Sequence, residues 1–305
     1  VDKPEIWIVA NLELGPKFQD QATLVAEAIN KEGLHARVVD SLELAVLVST
    51  DEQERQISIT NDQLPDIAVM QIKDTALNLA LESLDVITIN SSHTVRVCDD
   101  KALTHLYLVK EGVPTPSTLI APERYPGQPS RETIIVQSED IFGYPVVVKA
   151  TKGSFGKEVF RANNREELLA HIDSFKDRAF LLQRYIATPN NQDFRLQVID
   201  GKMVAAVARQ PSERGEFRAN LTLGASGIAI DPHPHLSELA IRASKAVGAI
   251  TAGVDIVVDQ QGSAYVLEVN SNAHFRRISE ITGIDVALCL AKSIRRITTE
   301  DHLLK

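Results

Sequence analysis

Over the first hundred residues, apolar runs of strand length alternate with amphipathic stretches of helix length. They are EIWIVA, residues 21–32, ARVVD, PDIAVMQI, a helical run near 76–84, and DVITIN. This alternation predicts a small open α/β layer with a mostly parallel sheet. The first strand runs into ANLELGPKF rather than a Gly-x-Gly-x-x-Gly turn, so no dinucleotide site is expected.

A new unit begins after Asp99. The helix KALTHLYLVKEG is closed by Gly112 and by Pro114 and Pro116, which cannot continue it. Residues 122–131, with three prolines and a glycine, read as a loop leading to the strand PVVVKA; a glycine-containing turn and a second strand, KEVFRA, follow. Asn164, with Glu167 three residues on, opens a helix. The last third is rich in strands: FLLQRYI, then DFRLQVID and KMVAAVARQ around an Asp200-Gly201 hairpin signal. A helix over 236–247, the paired strands AGVDIVVD and AYVLEVN, and a terminal helix VALCLAKSIRRI complete the chain.

Composition removes several classes of function. The net charge of −9 gives no overall field for a nucleic-acid backbone or an anionic membrane. Cys98 and Cys289 are far apart and outside any Cys-x-x-Cys spacing, which argues against a disulfide framework or zinc knuckle. No run of 18 apolar residues is present, and the VDKPEIWIVA start lacks a basic-then-apolar leader, so a cytoplasmic protein is expected. The eight histidines show no HExxH pairing, and Ser91-Ser92 sits in no Gly-x-Ser-x-Gly elbow.

Four groups of residues carry chemistry. In VVVKATKGSFGKEV a buried strand delivers Lys149, and Gly153, Ser154, Phe155 and Gly156 make a short turn before the next strand. Lysine places a charge on a phosphate oxygen while turn N–H groups cover other phosphates; a plain hairpin with a solvated lysine is the alternative. In AGVDIVVDQQGSAYVLEVNSN, Asp255 stands on one strand and Glu268 and Asn270, two apart on its partner, share a face. Hard oxygen donors converging in this way suit Mg²⁺ against substrate phosphates, the alternative being ordinary strand-edge polarity. Gln183, Tyr185 and Ile186 could line an adenine slot, and Asp193 could accept from ribose hydroxyls; an edge strand and a turn is the plainer reading. Finally Arg195, Arg209, Arg218 and the nearby Asn220 offer forks for carboxylate and phosphoryl oxygens, or else a solvated hairpin face.

In this order and spacing the segments resemble the RimK-like branch of the ATP-grasp superfamily, carboxylate–amine ligases that include α-L-glutamate ligases. The resemblance runs from about residue 99 to 291 through DDKALTHLYLVKEGVPTP, YPVVVKATKGSFGKEV, LLQRYI, DFRLQVIDGKMVAAVAR, GEFRANL, AGVDIVV, YVLEVNSN and TGIDVA. It implies an α/β (α+β ATP-grasp) fold, an N-terminal α/β pre-ATP-grasp domain followed by two α+β subdomains that clamp ATP. The expected divisions are 1–98, a small lid subdomain at 99–182 and a C-terminal subdomain with the metal site at 183–305. The resemblance further implies phosphate contacts from Lys101 and Lys149, a glycine lid from Gly153 to Gly156, and two Mg²⁺ ions, with Mn²⁺ able to substitute, on Asp255, Glu268 and Asn270. Arg209, Arg218 and Asn220 would face the transferring phosphoryl group and the acyl phosphate. The expected partners are a carboxylate (amino acid or peptide) and an amine acceptor, with a homo-oligomer as the default state. A small-molecule kinase or a non-catalytic ATP-binding regulatory module are the rival readings. Two departures fall on the acceptor side: SNAHFRRI, with His274, Arg276 and Arg277, replaces a Ser-Pro-Gly turn, and TLGASG replaces a basic glycine-rich segment.

Overall fold

The computed structural model describes residues 3–50, 55–60, 63–123, 132–153, 158–211 and 226–301. The N-terminal alternation becomes β1 (Glu5–Ala10), α1 (Pro16–Lys31), β2 (His35–Asp40), β3 (Val46–Thr50), β4 (Arg55–Ile59), β5 (Ile67–Met70), α2 (Thr75–Glu82) and β6 (Ile87–Ile89). Four of these strands make a wholly parallel sheet in the order β2-β1-β5-β6. Its two faces are both covered, as parallel sheets require. Ile6 and Ile8 pack with Ala22, Val25 and Ile29 of α1, while Trp7 and Val9 pack with Leu77 and Leu81 of α2. Helix α1 starts at Pro16 rather than 21, because a proline at the first helical position brings its φ already set. The antiparallel ribbon β3–β4 was not anticipated.

Next come α3 (Ser92–Asp99), α4 (Lys101–Lys110), β7 (Thr118–Ile120), α5 (Glu132–Phe142), β8 (Val146–Ala150), β9 (Val159–Ala162), α6 (Arg165–Ser174) and β10 (Phe180–Arg184). The strands form an antiparallel sheet, β7-β10-β8-β9. The sequence pattern leads from the proline-rich loop straight to PVVVKA; in the structure α5 intervenes. Its β-branched residues favour strands, yet Ile134 and Ile135 become helical because that face closes the core made with Val146, Val148 and Leu182.

The third unit contains β11 (Asp193–Ile199), β12 (Lys202–Gln210), β13 (Ser226–Ala229), α7 (Pro234–Ala246), β14 (Thr251–Val258), β15 (Ala264–Asn270), α8 (Arg276–Thr282) and α9 (Val286–Asp301). Its antiparallel sheet runs β13-β12-β11-β14-β15. The β11–β12 turn has Asp200 at φ 53° and Gly201 at φ 68°, the left-handed pair that a tight hairpin demands. One sheet face is buried under α7, where Leu239, Ala240 and Ala243 meet Leu196, Val254 and Ile256. Residues Val97, Cys98, Leu108 and Val113 belong to this same core, and the expected division at 182/183 falls inside β10. Helix α9 lies against α1, its Leu290, Ala291 and Ile294 sharing the core of the parallel sheet.

Asn90 joins the first unit to the third. Its Nδ2 donates to the carbonyls of Thr251 (2.7 Å) and Ser271 (2.8 Å), and its Oδ1 accepts from the N–H groups of Ile250 (2.7 Å) and Thr251 (3.1 Å). The end of β6 is thereby tied to the start of β14 and to the residue that follows Asn270. Among the described residues no helix is long and apolar enough to cross a membrane.

Candidate active site

The face of the C-terminal sheet opposite α7 forms the floor of a cleft of about 1140 Å³. Strand register decides what the floor presents. Asp193 stands opposite Arg209, Arg195 opposite Asp255, and Asp255 opposite Glu268, so charged side chains from four adjacent strands share one face. A bulge between Asp255 and Ile256 pairs Asp255 with Glu268 but Ile256 with Val266. The extra residue inverts the alternation, so Glu268 and Asn270 face the cleft while Val266 and Val269 stay in the α7 core.

Two arginines and two aspartates interlock on this floor. Arg209 donates from Nε and Nη2 to the two oxygens of Asp193, each at 2.7 Å, and Nη2 also lies 2.9 Å from Asp255 Oδ1. Arg195 grips Asp255 through Nε to Oδ1 and through Nη2 to Oδ2 at 2.8 Å. Burial pushes the Asp193 carboxyl up to about 6, with Arg209 opposing. At Asp255 burial acts in the same direction, but Arg195 and Arg209 outweigh it and hold the carboxyl below its usual range. Gly253 is required here: a Cβ at that position would lie 2.6 Å from Arg195 Nη1 and 2.7 Å from the Ala273 Cβ.

The roof comes from the lid sheet and α4. Lys149 is 7% exposed, and Nζ donates to Gln183 Oε1 at 2.7 Å. Burial lowers its pKa to about 8, with Glu268 opposing and Lys101 adding to the fall. Lys101, at the start of α4, donates from Nζ to the Gly153 carbonyl at 3.0 Å, holding the beginning of the glycine turn. The first unit supplies the remaining wall, with Asn11, Lys17 and Phe18 facing Asn272 and His274. The Phe18 and His274 rings meet edge to face at 4.7 Å. Burial, then Lys17 and Arg195, lower the His274 pKa to about 4.

Of the residues singled out in the sequence, Lys101, Lys149, Gln183, Tyr185, Ile186, Asp193, Arg209, Asp255, Glu268 and Asn270 all line this cleft, as do His274, Arg276 and Arg277. Ser154, Phe155, Gly156, Arg218 and Asn220 lie outside the described residues. Two side chains point differently from expectation. Gln183 is turned into the wall towards Lys149, and Asp193 is engaged by Arg209. The sequence reading missed Lys17 and Phe18, since nothing in α1 beyond its periodicity marks them, and it gave no role to His105.

Among the described residues no cluster of three or more His, Cys, Asp or Glu is placed to hold a metal, so an ion would rest on a mixed set of carboxylates and an amide. The Glu268 carboxylate makes no hydrogen bond or ion pair with any described residue, and the unpartnered, buried Nδ2 of Asn270 leaves the amide able to turn its Oδ1, the atom a metal would take, into the cleft. Asp255 Oδ2 accepts one hydrogen bond, from Arg195, and has a lone pair to spare. These donors fit a hard dication.

The family model for the RimK-like ATP-grasp domain matches residues 98–294. The chain belongs to the RimK-like ATP-grasp family. It is 31% identical over 289 residues to a probable alpha-L-glutamate ligase of Shewanella amazonensis, covering 92% of each chain. It is 29% identical over 231 residues to N-acetylaspartylglutamate synthase A of Homo sapiens, which covers 75% of this chain and 57% of that protein. Among solved structures, the ATP-grasp ligase PsnB complexed with minimal precursor superposes with a TM-score of 0.71 at 18% identity, covering 97% and 99% of the two chains, a likeness of fold. The chain is thus a carboxylate–amine ligase of the ATP-grasp class.

Proposed function

We propose that the enzyme couples an amino acid or peptide carboxylate to an amine through an acyl phosphate. A carboxylate oxygen attacks the γ-phosphorus of ATP, the bond to the β–γ bridging oxygen breaks, and ADP leaves. The amine nitrogen then attacks the acyl carbon, and phosphate departs with its electron pair while the nitrogen loses a proton.

Lys149 and Lys101 set fixed charge against the phosphates from the lid side, Lys101 also holding the Gly153 end of the turn. Tyr185 and Ile186, at the end of β10, border the adenine, with Asp193 near the ribose. Arg195 and Arg209, immobilised by Asp193 and Asp255, present pre-oriented guanidinium groups on the cleft floor, so a hydrogen bond from them to the transferring group needs no rearrangement during transfer. Glu268, Asn270 and one oxygen of Asp255 would hold two Mg²⁺ ions, which neutralise and orient the phosphates when bound. Arg218 and Asn220 are assigned to the acyl phosphate by the resemblance alone.

The observation that carries this reading is the bulge in β15, which turns Glu268 and Asn270 onto the same face as Arg195, Arg209 and Asp255. With Mg·ATP and a competent acid, hydroxylamine in place of the amine should trap a hydroxamate. A stable phosphorylated product without hydroxamate, under proven turnover, would contradict the ligase chemistry in favour of a kinase.

A further inference from the structure

His105 lies on α4, one turn beyond Lys101, and is 3% exposed. Its Nε2 is 3.0 Å from Gln183 Nε2, and its Nδ1 is 2.6 Å from Thr115 Oγ1. Thr115 Oγ1 donates its only proton to the Val266 carbonyl at 2.9 Å, so towards His105 it must accept. The proton of the ring therefore sits on Nδ1, and Nε2 is a bare acceptor. Burial, reinforced by Lys149 and Lys101, lowers the His105 pKa to about 3, which keeps the ring neutral.

The same count fixes Gln183. Its Nε2 gives one hydrogen to His105 and the other to Thr118 Oγ1 at 2.8 Å, whose own proton goes to the Pro116 carbonyl. Only Oε1 remains, and it faces the Lys149 ammonium at 2.7 Å. Lys149 and Gln183 can meet because β8 and β10 are antiparallel, with Lys149 opposite Leu181 and Val147 opposite Gln183, so the two project from one face on a diagonal. Turning the amide over would set an NH₂ against the ammonium and a carbonyl against the lone pair of His105. Gln183 is 1% exposed, which leaves no solvent to absorb either repulsion.

We infer that His105 is a positioning residue, an acceptor that fixes the Gln183 amide and through it the place of Lys149 over the nucleotide phosphates. The inference rests on the reading of Lys149 as a phosphate contact. It extends the support of the lid to α4: Lys101 holds Gly153 and, four residues on, His105 holds Gln183, while Thr115 anchors the ring to the strand that carries Glu268.

The test is calorimetric titration of the full chain with Mg²⁺ and the non-hydrolysable analogue AMP-PNP, alongside thermal unfolding without nucleotide. His105→Leu should weaken binding about tenfold, the scale of one misplaced hydrogen bond to a charged group. His105→Gln should recover most of it, since a glutamine Oε1 can accept where Nε2 did. In a Gln183→Met background neither His105 change should alter affinity further, because the amide they orient is gone. Additive losses, or a His105→Gln protein as weak as His105→Leu at equal melting temperature, would overturn the inference. Should His105→Leu not fold, Thr115→Val carries the decision: it removes the acceptor that holds the ring proton on Nδ1, frees the ring to turn an N–H against the Gln183 amide, and should weaken binding in the wild-type background but not with Gln183→Met. Lys149→Ala separates the two levels: unchanged affinity there removes the phosphate contact and the inference with it, whereas a loss there with unaltered His105→Leu removes the inference alone.

Discussion

Asn90 makes a demanding test of how the first unit supports the site. Truncation to alanine removes four hydrogen bonds of 2.7–3.1 Å and leaves two N–H groups and two carbonyls without their partner. At about 1 kcal/mol net per bond, reduced where Ile250 and Thr251 reach solvent, Asn90→Ala should cost roughly 2–4 kcal/mol. For a chain of this size that is a fall in melting temperature of about 3–6 °C. Asn90→Asp is a sharper probe. It keeps the shape and the acceptor but sets a carboxylate against the carbonyl oxygens of Thr251 and Ser271. That environment raises the folded-state pKa of the new carboxyl above its unfolded value, so the unfolded state binds fewer protons. The destabilisation should be largest near neutral pH and shrink as pH falls towards about 4. The assay is thermal unfolding of the three proteins at pH 5 and 7.5. A melting temperature for Asn90→Ala within 1 °C of wild type, or an Asn90→Asp deficit independent of pH, would refute the accounting.

Two further expectations concern the site itself. Lys149 has its pKa lowered from 10.5 to about 8, so between those values the unfolded chain binds the extra proton. Stability without nucleotide should therefore gain from Lys149 as pH rises through that window, while ATP affinity falls; ATP affinity that is flat from pH 7.5 to 9.5 would show that the lysine charge is not used. Glu268→Gln removes one carboxylate charge at nearly constant shape and should lower turnover by several orders of magnitude without loss of fold, so normal turnover at limiting Mg²⁺ would make Glu268 structural.

The parallel layer, the two hairpins and the segments that form the cleft were legible in the sequence because each has a local signature: alternation, Asp200-Gly201, or an acid within an apolar strand. Register is not local. That Asp193 meets Arg209, and that a bulge places Glu268 opposite Asp255, follows from pairing between strands far apart in the chain. Gln183 read as part of an adenine slot because its neighbours Tyr185 and Ile186 suggested one; its partner His105 is 78 residues away and on a helix. Helix α5 was hidden by its β-branched residues, and α3 was missed although Ser91 caps it by accepting from the Thr94 N–H. The roles of Lys17 and Phe18 depend on how the first unit closes on the third, which periodicity within α1 does not encode.

On the proposed path the acid is activated by phosphorylation of its own carboxylate. The most direct measurement labels both carboxylate oxygens of a turnover-competent acid with ¹⁸O and follows the inorganic phosphate by mass spectrometry or ³¹P NMR. One ¹⁸O should appear in each phosphate released, matching ADP and amide formed one for one. Phosphate free of label, with amide still formed, would mean that the acyl phosphate does not lie on the path.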